Sequence, residues 1–83
     1  MNIADRLRAF IRENFYAARK LQLADHDSLL DRGVVDSTGV LELVAFLEQE
    51  FAIQISDDEI VPEHLDSIAS IVQFVERKQT RAA

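Results

Sequence analysis

The sequence predicts a small all-α protein, a four-helix bundle of three main helices and a short third one, with a long first loop. Two observations carry that reading. Nearly half of the 83 residues are apolar (48%), and they recur at the helical period in separate segments. Period-two alternation is confined to the short run "FAIQI" at 51–55, too little for a sheet. A chain of this size is expected to form one domain, 1–83, since independent domains begin at roughly 50 residues. It buries only about 60% of its unfolded surface, so its apolar residues are needed for the core and a large enclosed active site is not expected.

The first helix is predicted from Ile3, Leu7, Phe10, Ile11 and Phe15, with Arg6, Arg8, Arg12 and Glu13 on its other faces. The connection from about Leu21 to Asp36 is long beside the about 2–8 residues usual between bundle helices. Leu29, Leu30, Val34 and Val35 are expected to pin it across the bundle. The second helix has Val40, Leu43, Val44, Leu47 and Phe51 in an i, i+3, i+4, i+7, i+11 stripe, with Glu42 and Gln49 turned away.

In "SDDEIVPEHL", Ser56 and Glu59 have capping-box spacing, and Pro62 is expected to end a helix of one or two turns. The fourth segment carries Ile68, Ile71, Val72 and Val75 and runs into "ERKQTRAA", where Arg77 and Lys78 suit a helix C-terminus. Residues 80–83 are expected to fray. Val40, Leu43, Val44, Leu47, Ile53, Ile68, Ile71 and Val72 should line the interior.

Composition narrows the function classes. With no cysteine there is neither a disulfide framework nor a thiolate metal site. No apolar run approaches the ~18 residues of a membrane span. "MNIADRLRAF" is charged throughout and is not a signal peptide, so a cytoplasmic protein is expected. The net charge is −6, and its placement matters more than its size. From Gly33 to Glu76 there are ten acids and no Lys or Arg; all nine basic residues lie outside that span. Such a field repels nucleic acid and anionic lipid and attracts basic protein surfaces, although a solvated acidic surface kept for solubility would look the same.

Catalytic and metal chemistry find little support. His26 and His64 both fall in connecting segments, where surface positions are expected, and no G-x-S-x-G elbow is present. "DHDSLLDRGVVD" places Asp25, Asp27, Asp31 and Asp36 at positions 1, 3, 7 and 12 of a calcium loop. Leu29 and Leu30 occupy the places of an oxygen ligand and the glycine, and Asp36 that of the bidentate Glu. No metal is expected. With only Gly33 and Gly39, glycine-rich phosphate loops are absent.

Three Asp-Ser pairs remain: Asp27-Ser28, Asp36-Ser37 and Asp66-Ser67. Ser28 precedes no sustained helix and suits a turn. Ser37 and Ser67 open the second and fourth helices, and local physics ranks them equally as caps, with Asp66 an alternative to Ser67. Their surroundings differ. Ser37 follows the long loop and heads the most acidic helix, where a phosphate on its Oγ would meet the positive helix end and free backbone N–H groups.

The stretch "DRGVVDSTGVLELVAFLEQEF", with Glu42-Leu43 five residues after the serine, resembles the acyl carrier proteins, and the resemblance runs over nearly the whole chain. It implies that Ser37 carries 4′-phosphopantetheine derived from coenzyme A and that Asp36 is the flanking recognition acid. "DSL" at Asp27–Leu29 imitates the family's attachment triplet but lies inside the loop. The family usually has Leu after the serine and often an acid next; this chain has Thr38 and Gly39. The bare backbone of Gly39 is expected to leave room for the arm or a partner. Thr38 points away from the housekeeping fatty-acid carrier and toward discrete carriers served by a dedicated adenylating ligase.

The resemblance further implies a non-enzymatic, monomeric carrier of acyl or aminoacyl thioesters. Its expected partners are a phosphopantetheinyl transferase and an acyl- or aminoacyl-adenylating ligase, synthase or acyltransferase with basic patches. Glu42, Glu48, Thr38 and Val40 are the expected docking contacts. The alternative is an acidic helical interaction module that is never modified.

Overall fold

The computed structural model describes residues 2–82. Helix α1 spans Ile3–Asn14, α2 Ser37–Phe51, α3 Pro62–Leu65 and α4 Ile68–Ala82, with 3-10 turns at Tyr16–Lys20 and Asp57–Glu59. No strand occurs among the described residues. The all-α bundle with a short third helix is therefore what the chain forms.

Helix α1 starts where Asn2 Oδ1 accepts the Asp5 N–H at 2.8 Å, satisfying one of the donors a helix start leaves open. It ends at Phe15, which turns extended. Helix α2 stops at Ala52, in the left-handed region (φ 55°), a common helix exit. From there Phe51, Ile53 and Ile55 point inward while Ala52 and Gln54 face out. The alternation read in "FAIQI" is real, but it belongs to no strand: Phe51 ends α2, Ala52 is left-handed, and residues 53–55 run on as irregular chain.

Pro62 does the reverse of what was expected. The Ser56–Glu59 capping box closes only the 3-10 turn, and Pro62 opens α3 at its first position. A proline costs nothing there, because its missing N–H would have had no helical acceptor. At the far end α4 continues past Gln79 to Ala82, with the Thr80 hydroxyl donating to the Glu76 carbonyl (3.0 Å).

Helix α4 is the central element, packing on α1, α2 and α3. Leu7, Ile11, Leu43, Leu47, Ile68, Ile71 and Val75 are almost fully buried. Of the predicted interior, only Val40 and Val72 are partly exposed. Helices α1 and α2 meet through aromatic rings. Phe10 stacks on Phe46 (centroids 4.0 Å, 13°), with Phe15 edge-on to Phe10 and Phe51 edge-on to Phe46. Each such pair stabilises by roughly 0.5–1.5 kcal/mol beyond its area.

The long loop is anchored as expected by Leu29, Val34 and Val35, but Leu30 is 41% exposed. It cannot join them, because the chain reverses immediately after Leu29: the Val34 and Val35 N–H groups both donate to the Leu29 carbonyl (2.9 and 3.2 Å). Gly33, at φ +72°, supplies the left-handed residue that closes this turn.

Candidate functional site

The loop ends with Val34 and Val35 buried, and this pair delivers Asp36 and Ser37 to the surface. Asp36 is the N-cap of α2. Its Oδ1 accepts the Gly39 N–H at 2.7 Å, and its carbonyl accepts the Val40 N–H at 2.9 Å. The cap leaves the N–H groups of Ser37 and Thr38 without a protein acceptor among the described residues, so the positive end of α2 stays open beside the Ser37 side chain.

The three serines share a preceding Asp but not their surroundings. Ser28 Oγ donates to Asp66 Oδ2 and accepts the Asp31 N–H (3.1 Å). Ser67 is buried, and its Oγ caps α4 by accepting the Ser70 N–H at 3.1 Å. Asp66 is therefore not the α4 cap. Its carboxylate instead holds the first loop, accepting from Ser28 and from the Leu30 N–H (2.8 Å), while its carbonyl accepts the Leu29 N–H (2.7 Å). Ser37 is exposed, and no hydrogen bond engages its hydroxyl among the described residues. It alone of the three is both accessible and uncommitted.

Gly39 corrects one expectation. Its missing side chain leaves no space for an arm or partner, because the residue is buried under Phe15. A Cβ there would stand 2.7 Å from Phe15 Cε1 and 3.3 Å from both Asp36 Oδ1 and Val35 Cγ1. The glycine lets the α1 exit close over the first turn of α2.

Thr38 and Glu42 are exposed, and Val40 is half-buried. Val40 borders a small cavity of about 80 Å³, walled by Leu29, Val35, Ile60, Leu65 and Asp66. A bulk water occupies ~30 Å³, so the cavity in this conformation is only a few waters in size. Glu48 is also half-buried, and its Oε2 accepts the Ile55 N–H at 3.0 Å. This carboxylate ties the end of α2 to the following segment and is less free than that of Glu42. Sequence reasoning passed over Leu41, 62% exposed one turn below Ser37. Its signal was available: an apolar residue off the buried stripe and i+4 from the serine, hence on the same face.

The other candidate groups are dispersed. Asp25 pairs with Arg8 and Asp27 with Arg32. No group of three potential metal ligands occurs among the described residues. His26 is exposed as expected. His64 is not: its ring stacks on Phe74 (4.7 Å, 15°), and Nδ1 lies 3.0 Å from the Glu59 carbonyl. Among the described residues no base hydrogen-bonds the Ser37 hydroxyl.

A family model described as phosphopantetheine attachment site matches residues 5–75. The chain belongs to that family. An acyl carrier protein from Buchnera aphidicola is 30% identical over 80 residues, covering 96% of each chain. A D-alanyl carrier protein from Streptococcus pyogenes is 38% identical over 58 residues, covering 70% of this chain and 72% of the relative.

Members of the phosphopantetheine-attachment family are carriers, not enzymes, and hold 4′-phosphopantetheine covalently. The residues present fit that group. An exposed, unbonded hydroxyl stands at a helix N-terminus with two unspent N–H donors, suited to the oxygens of a phosphodiester. No helix among the described residues is long and apolar enough to cross a membrane.

Proposed function

We propose that this chain is a discrete, monomeric carrier, one domain over residues 1–83, whose Ser37 is the anchor for 4′-phosphopantetheine. The observation that supports it most strongly is the state of the Ser37 hydroxyl: exposed, unbonded and at the open positive end of α2. A phosphopantetheinyl transferase supplies the reaction from coenzyme A. Ser37 Oγ bonds to the phosphorus carrying the pantetheine arm, the pyrophosphate P–O bond breaks, and adenosine 3′,5′-bisphosphate leaves. In this reading the transferase removes the serine proton.

Asp36 has two roles in this reading. It caps α2, which fixes the direction of Ser37, and it presents a carboxylate beside the serine for the transferase to recognise. Once attached, the group supplies a thiol that holds cargo as a thioester. The arm then keeps that cargo at high effective concentration near a docked active site.

Docking falls to the exposed face of α2. Glu42 supplies the free charge and Leu41 the apolar contact, with Thr38 and Val40 around the serine and Glu48 at the far end. Partners with Lys/Arg patches, a ligase, synthase or acyltransferase, fit this face. Exposed ion pairs contribute about 0–1 kcal/mol each, which favours brief docking and quick release. The similarity to both acyl and D-alanyl carriers supports a cargo of acyl or aminoacyl type, loaded by an adenylating ligase in the cytoplasm.

The test is the intact mass of the protein after incubation with coenzyme A and a broad-specificity transferase. A gain of one phosphopantetheinyl group is expected in the wild type, in Ser28→Ala and in Ser67→Ala, and none in Ser37→Ala. An unmodified wild type, or a modified Ser37→Ala, defeats the reading.

A further inference from the structure

Helix α1 and its exit hold α2 at two points. Phe10 stacks on Phe46 (centroids 4.0 Å), and the Phe15 ring lies over Gly39. Gly39 and Phe46 are seven residues apart, a spacing that returns to the same side of a helix. Phe15 itself has little freedom. Its N–H donates to the Ile11 carbonyl, its carbonyl accepts the Ala18 N–H (both 2.9 Å), and its ring meets Phe10 edge-on at 5.9 Å.

The first turn of α2 depends on the second point. Its residues Ser37, Thr38 and Gly39 include no strong helix former, and a glycine has the widest choice of backbone conformations. Yet the Gly39 N–H is the donor that Asp36 Oδ1 accepts (2.7 Å). Ring and cap meet there, since a Cβ on Gly39 would stand 2.7 Å from Phe15 Cε1 and 3.3 Å from Asp36 Oδ1. Asp36, Ser37 and Thr38 are exposed, but Gly39 is buried. The ring covers the capped residue and restricts it to the helical turn.

We propose that Phe15 is a positioning residue for the modification of Ser37. Seated on Gly39, it fixes the first turn of α2. Through the Asp36 cap it thereby sets the direction of the Ser37 hydroxyl and of the flanking carboxylate. The inference rests on Ser37 being the phosphopantetheine anchor. The exposed docking contacts Leu41 and Glu42 take no part in this packing. Loss of the ring should therefore slow turnover without weakening the encounter with the transferase.

The test is the initial rate of modification with coenzyme A and a broad-specificity transferase, over a range of carrier concentrations. All variants are compared where their far-UV spectra show them fully folded. Phe15→Ala should lower kcat about tenfold, since small misplacements of a reacting group act on this scale or above it, with KM changed by less than about twofold. Phe15→Leu, which keeps apolar bulk, should show a smaller loss in the same direction. Gly39→Ala, which pushes a methyl group into the ring, should also slow modification. Combined with Phe15→Ala it should recover most of the wild-type kcat, because alanine favours the helical turn without the ring. Amide exchange at Gly39 should speed up in Phe15→Ala and slow again in the double variant. Val75→Ala, a truncation of a fully buried residue in α4, should leave kcat unchanged. The proposal fails if Phe15→Ala turns over like the wild type or leaves Gly39 exchange unaltered. It fails equally if Val75→Ala is as slow as Phe15→Ala, or if the double variant is as slow as the single ones. A wild type that is never modified defeats the carrier reading and this inference with it. A modified wild type beside an equally active Phe15→Ala defeats the inference alone.

Discussion

The Phe15 ring lies over Gly39 so closely that a methyl group on the glycine would stand 2.7 Å from Phe15 Cε1. The contact joins the exit of α1 to the first turn of α2, two residues from the exposed serine. An alanine at position 39 has the better helix propensity, by up to about 1 kcal/mol. It also overpacks the contact, which typically costs about 1–3 kcal/mol, and Val35 and Asp36 restrict escape on the other sides. Gly39→Ala should therefore lower stability by about 1 kcal/mol in urea denaturation. In a Phe15→Leu background the same change should be neutral or stabilising, a coupling that a double-mutant cycle reads directly.

Asp66 makes a second testable link, between the first loop and the α3–α4 junction. Its carboxylate accepts from the Ser28 hydroxyl and the Leu30 N–H, and hydrogen bonds to charged groups contribute roughly 1.5–3 kcal/mol. Asp66→Ala should cost about 2 kcal/mol by urea midpoint, and Ser28→Ala about 1 kcal/mol, since it removes one of the two donors. Both should speed amide exchange at Val34 and Val35, whose N–H groups close the same turn. Unchanged exchange there would mean that Leu29, Val34 and Val35 hold the loop by packing alone.

Much of this was legible in the sequence because a helix writes its buried face at a fixed period. Leu43, Leu47, Ile68 and Ile71 could be placed inside without coordinates. What stayed illegible depends on partners distant in the chain. Local sequence sets Ser28 apart as a turn residue but ranks Ser37 and Ser67 equally as caps, until the packed core is seen to bury Ser67 and leave Ser37 exposed. Pro62 misled because a proline that ends one helix and a proline that begins another read alike in sequence. Gly39 misled for a similar reason: an absent side chain can mean open space or a neighbour already filling it.

Acid should weaken one particular staple. The Lys78 ammonium bonds Glu59 Oε1 at 2.7 Å. That bond first, and the Ser56 N–H next, hold the Glu59 carboxyl at a pKa of about 2 rather than the ordinary 4.5. A pKa lower in the folded chain than in the unfolded one stabilises above the unfolded value, and the contribution is lost as pH falls through the folded value. The stability difference between wild type and Glu59→Gln should therefore be constant above pH 4.5 and shrink toward pH 2. Urea midpoints of both proteins across that window provide the measurement. A difference independent of pH would show that the staple contributes nothing through its charge.

Glu42 and Glu48 look alike in sequence, on one acidic helix, but the structure separates what their loss should do. Glu42 is exposed without a protein partner among the described residues, so Glu42→Lys should leave the urea midpoint unchanged. It should slow modification or loading several-fold at low salt, and the effect should fade at 1 M salt, where screening acts over about 3 Å. Glu48 accepts the Ile55 N–H, so even the neutral Glu48→Gln weakens a charge-assisted bond and should cost about 1 kcal/mol. If docking uses both carboxylates, Glu48→Lys will slow loading with the same salt dependence as Glu42→Lys. If Glu48 serves only the fold, its loading defect will follow its stability loss and ignore salt. Rates measured at two ionic strengths beside denaturation curves decide between a contact and a structural staple.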